Sequence, residues 1–118
     1  MATIISLAQA QSLTQEYQKQ NASATGPGLI TPTGKFLNGY FVDRQSLETL
    51  LSNPDVVGVS FELAKDPAFV GMPENVFTLV YAGARINTDP SPQATPYVNT
   101  GDIYSGTPPC PSFCITLG

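Results

Sequence analysis

The sequence predicts a small α+β protein: a mostly antiparallel sheet of three to four strands, with two helices packed on one face. Three observations lead there: an opening stretch with helical periodicity, a short capped helix mid-chain, and three segments of strand length and character. A length of 118 residues fits one domain, 1–118, able to bury roughly two thirds of its unfolded surface.

Residues 4–20 read as the first helix. Ser6 is placed to cap it, and Gln9 three residues on completes a capping-box pattern. Ile5, Ala8, Leu13 and Tyr17 recur every three to five residues and predict one buried stripe, opposite Gln9, Gln11, Gln15, Gln18 and Lys19. A loop follows through Gly26-Pro27-Gly28 and Pro32. Lys35 to Val42 reads as a strand with Phe36, Tyr40 and Val42 on one side. Asp43 is a natural N-cap for a second helix over 44–52, because its carboxylate can accept amide protons that the first turn leaves unpaired. Leu47, Leu50 and Leu51 form its expected buried side, and Asn53-Pro54 stops it.

Val56 to Leu63 carries the clearest strand pattern. Val57, Val59, Phe61 and Leu63 alternate with Gly58, Ser60 and Glu62. A connection with Pro67, Gly71 and Pro73 follows, whose Phe69, Val70 and Met72 are expected to fold back as a small lid. Val76 to Asn87 is apolar on both sides and reads as a strand buried on both faces. From residue 88 to 118, Pro90, Pro92, Pro96, Pro108, Pro109 and Pro111 interrupt the chain, while Tyr97, Ile103, Tyr104, Phe113 and Ile115 call for burial. An irregular segment packed on the sheet or its edge is the expectation.

Composition narrows function mainly by exclusion. Charged residues are 12% of the chain, about half the usual share, and the net charge is −4. Lys19, Lys35, Arg44, Lys65 and Arg85 are scattered, which argues against a nucleic-acid backbone or an anionic membrane as partner. No apolar run approaches the ~20 residues a spanning helix needs. The start, Met1 to Leu7, lacks a basic region, so the chain reads as soluble and cytoplasmic. Histidine is absent, which removes histidine-based triads, general bases and the common catalytic zinc sites. No glycine-rich phosphate or dinucleotide fingerprint occurs. No catalytic residue, metal site or cofactor is therefore expected, and a weakly charged surface suits a homodimer or another protein partner.

Two features carry candidate chemistry. Arg85, beside Gly83 and Ala84, is placed either to grip an anion together with Glu62 or to pair structurally with Glu62 or Glu48. Glu48 and Glu62 otherwise read as solvated surface groups. Pro108-Pro109-Cys110-Pro111-Ser112-Phe113-Cys114 contains the two cysteines, Cys110 and Cys114. They could be inert thiols, close a disulfide, or supply half of a metal or redox site.

The chain resembles a group of small Bacteroidetes proteins. The resemblance rests on the opening helix from Ile5 to Tyr17, with Ala8 or Ala10 and Thr14. It continues in the Lys35-x-Phe-x-x-Gly-x-Phe-x-Asp-Arg-x-x-Leu-x-x-Leu-Leu stretch and ends in the Pro-Pro-Cys-Pro-x-x-Cys-like tail. Ser60 and Phe61 stand where that group is expected to carry arginine and tyrosine. The resemblance implies an intact domain ending in the cysteine tail and brings no activity with it. The reading is a non-catalytic binding or protein-interaction domain. The alternatives are a small enzyme or ligand-binding domain using Arg85 and carboxylates, and a thiol or metal role at the cysteines.

Overall fold

A computed structural model describes residues 2–91 and 94–117. The fold is α+β. In chain order it comprises α1 (Leu7–Ala22), β1 (Gly39–Tyr40), α2 (Arg44–Leu51), β2 (Gly58–Lys65), a 3₁₀ turn (Pro67–Phe69), β3 (Phe77–Ile86), β4 (Tyr97–Tyr104) and β5 (Pro109–Cys110). Two compact units emerge, one from residues 2–41, 65–77 and 108–117, the other from Val42–Ala64 and Thr78–Thr107. Among the described residues, no helix is long and apolar enough to cross a membrane.

In the first unit, Ser6 caps α1 as expected, its hydroxyl accepting the Gln9 N–H at 3.1 Å. The apolar stripe behaves otherwise. Ile5 and Ala8 are exposed and Leu13 is 58% exposed, while Tyr17 is half-buried and Asn21 is the buried residue of the helix. Polar bonds hold the element: the Asn21 amide donates to Leu29 O at 2.9 Å and its carbonyl accepts the Leu29 N–H at 2.8 Å. The Tyr17 hydroxyl donates to Leu37 O at 2.7 Å. Leu37 and Val76 are the apolar core of this unit.

The strand expected over 35–42 shrinks to β1, paired antiparallel with β5 through Gly39↔Cys110 and Tyr40↔Pro109. Pro108, Pro109 and Pro111 have no N–H to donate, which limits the ladder on that side. Phe36 instead joins an isolated bridge to Ile30. The expected lid does not close over a core. Asp66 caps the 3₁₀ turn, and the backbone then bends at Gly71 (φ 80°), leaving Val70 70% exposed and Met72 exposed.

The second unit holds the three-stranded sheet, in the order β2-β3-β4. As expected, Asp43 caps α2 by accepting the Ser46 N–H at 2.9 Å. Leu50 is buried and Leu47 half-buried, whereas Leu51 is exposed at the helix end. β3 is the central strand, with Thr78, Tyr81, Ala82 and Gly83 buried, which explains why its sequence is apolar on both sides. β2 is an edge strand, and most of its alternating apolar row stays open: Val57, just ahead of it, is 57% exposed, Phe61 47% and Leu63 64%, with Val59 half-buried. α2 packs toward β4, at the opposite edge, and does not cover that row.

Within the segment expected to be irregular, β4 forms an eight-residue strand along the edge of the sheet. The prolines flank it: Pro90 and Pro96 precede it and Pro108 follows. Pro92 lies outside the described residues. Gly101 (φ 76°) sits in a bulge where the β3–β4 register shifts between Ala82↔Ile103 and Gly83↔Thr100.

Candidate functional site

The sheet of the second unit presents two different faces. On one, Tyr81 is buried, with its ring 5.4 Å from Phe61 and 5.4 Å from Tyr104, the latter stacked. Its hydroxyl lies 2.7 Å from Ser46 Oγ on α2. The Ser46 hydroxyl also lies 2.9 Å from Asp43 Oδ1, so the helix cap and the aromatic row form one hydrogen-bonded group. The Ser46 amide, followed by its hydroxyl, holds the Asp43 carboxyl below the usual range. Phe61 is the exposed end of this row, and Val57 and Leu63 are exposed as well.

The other face follows from strand alternation and register. Val80, Ala82 and Ala84 alternate with Tyr81, and Ala82↔Ile103, Ala84↔Asn99 and Ile86↔Tyr97 bring the β4 partners to the same side. There the structure holds an open cleft of about 440 Å³. Ser60 and Glu62 line it from β2, and Tyr97, Asn99 and Ile103 from β4, with the small side chains of Ala82 and Ala84 between.

This geometry separates the two residues expected to cooperate. Glu62 lines the cleft, whereas Arg85 pairs with Val98 on the opposite face of the sheet. The Arg85 guanidinium donates to Ile86 O at 3.3 Å, and no carboxylate lies within ion-pair distance of it among the described residues. Glu48 is held by Arg44 at 3.6 Å, a surface pair one helical turn apart.

In the first unit, Cys110 and Cys114 are joined in a disulfide, their Cα atoms 4.8 Å apart. The loop they close folds back on the ribbon: Phe113 N–H donates to Pro109 O of β5 at 2.9 Å, and the Phe113 ring lies 6.3 Å from Phe41, next to β1. Both sulfurs are thereby committed to each other, and the loop acts as a clasp on the β1–β5 ribbon.

Sequence reasoning did not find Ser60, Tyr97, Asn99 and Ile103 as neighbours around a cleft. The alternation in Tyr97-Val98-Asn99-Thr100 was the available signal, and it was masked by the prolines around it. Compared with known proteins, the chain matches no family model, no curated protein and no solved structure.

Proposed function

We propose that this protein is a non-catalytic interaction domain that docks a protein partner on the open apolar row of β2. A second copy of the chain is the simplest such partner. The observation that carries the reading is the exposure of Val57, Phe61 and Leu63, residues whose alternation is that of a buried strand face. An edge strand with such a row is suited to strand addition, in which backbone groups supply affinity and alternate side chains supply selectivity. Phe61 is the natural anchor, because aromatic side chains seated near an interface centre carry much of the binding energy. The separation of Arg85 from Glu62 removes support from the small-enzyme alternative. The disulfide favours a stapling role for the cysteines over a metal-binding one. It also fits an oxidising compartment better than the cytoplasm, where glutathione and thioredoxin keep thiols reduced.

Sedimentation equilibrium of the native chain and of Phe61→Lys tests the reading. The native protein is expected to self-associate, and the lysine to weaken association by roughly tenfold or more through a desolvated charge at the interface. Far-ultraviolet circular dichroism should be retained, since Phe61 is about half exposed on an edge strand even though its ring also lies near Tyr81. A native chain that stays monomeric at every concentration, or a variant that associates equally well, overturns a homodimer on β2.

A further inference from the structure

We propose that the cleft on the opposite face of the sheet binds a compact organic cation, a primary ammonium group carried on an apolar body. This goes beyond protein docking on β2 and rests on different residues.

Size comes first. At about 440 Å³ the cleft falls within the range of small-molecule sites, roughly 300–1,000 Å³. Its floor is formed by Ala82 and Ala84, whose small side chains leave room for a ligand above the central strand. Ile103 and the exposed ring of Tyr97 flank the floor from β4, giving an apolar body something to cover.

Charge then selects the ligand class. Among the described residues, Glu62 is the one carboxylate in the lining, and no lysine or arginine lines the cleft with it. Arg85, the cation of the neighbouring strand, lies on the other face. An anion would therefore meet Glu62 with nothing to offset the repulsion, whereas a cation finds its complement there. Ser60 adds a hydroxyl beside Glu62 on β2, and Asn99 adds an amide carbonyl from β4, acceptors of the kind that the N–H donors of an ammonium require. Among the described residues, none of the side chains of Ser60, Glu62 and Asn99 is engaged in a protein hydrogen bond or ion pair, so a ligand displaces only water. The Tyr97 ring adds an electron-rich face to which an ammonium is attracted.

The test is an amide-resolved NMR titration of the full chain with benzylammonium, run beside benzyl alcohol and benzoate as the neutral and anionic analogues. Saturable shifts at Ser60, Glu62, Ala82, Ala84 and Asn99 are expected with the ammonium, and much weaker ones with the other two. Glu62→Gln should weaken ammonium binding by about tenfold, as expected for losing a charge-assisted hydrogen bond. Glu16→Gln removes the same charge from α1 and should leave the affinity unchanged, so that an effect of net charge alone is recognised. Equal shifts with the alcohol, indifference to Glu62→Gln, an equal loss with Glu16→Gln, or shifts outside the cleft each overturn the proposal. The three-ligand comparison stands on the native chain even if Glu62→Gln fails to fold. The titration and the sedimentation of the native chain are separate readouts, so failure of this inference and failure of β2 docking are read separately.

Discussion

Asp43 carries more than a cap. It accepts the Ser46 amide and hydroxyl, each at 2.9 Å, and the same hydroxyl meets Tyr81 at 2.7 Å, which ties the start of α2 to the aromatic row. These bonds favour the charged form, so the folded-state pKa lies below the unfolded one. The sign follows: the contribution is fully present above about pH 4 and is lost as pH falls through the lowered folded value. Asp43→Asn keeps a capping side chain but removes the titration. Thermal unfolding followed from about pH 6 to about pH 2 should show a shallower acid decline for Asp43→Asn than for the native chain. Parallel declines would mean that other carboxylates set acid stability. The cap itself was legible in the sequence, because it joins residues three apart. The Ser46–Tyr81 bond spans 35 positions, and no local pattern announces it.

At the scale of elements, α1 shows where periodicity misleads. A stripe of Ile5, Ala8, Leu13 and Tyr17 reports side-chain polarity, whereas the buried anchor is Asn21, recognised only through its bonds to Leu29 and Leu37. The element, its cap and its approximate span were legible; the face it buries was not. β4 fails in the opposite direction, since prolines outside the strand outweighed the alternation within it, and half of the cleft went unseen with it. Helix α1 ends on a tight return in which Gly26 N–H donates to Ser23 O at 3.1 Å. A Cβ at Gly26 would collide with the backbone carbonyl of Gln20, which cannot swing away without disturbing the last turn. Gly26→Ala is therefore expected to destabilise the protein by roughly 1–3 kcal/mol, the usual cost of forced overpacking. Denaturant unfolding measures the loss, and amide exchange should accelerate first around residues 20–23. A variant as stable as the native chain would mean that the return relaxes freely.

For the whole molecule, five hydrophobic residues are buried among those described, while eighteen large ones are exposed, so many large apolar side chains stay outside the core. The same balance was visible in a composition that is 42% apolar and 12% charged, although the sequence could not say which residues stay outside. The kind of association this surface supports can be told from its response to salt. Interfaces steered by charge weaken as ions screen them, with a Debye length near 10 Å at 0.1 M. The proposed β2 row of Val57, Phe61 and Leu63 is uncharged, so association through it is expected to hold its strength or tighten slightly as sodium chloride is raised. Because a partner that binds only the folded chain stabilises it by mass action, the unfolding midpoint should also rise with protein concentration. Sedimentation and thermal scans over a matched series of salt and protein concentrations read both effects. An association that falls about tenfold with added salt would place the contact on ionic groups and away from the row of Val57, Phe61 and Leu63. A midpoint independent of concentration would remove the self-partner altogether, leaving the row for a different protein.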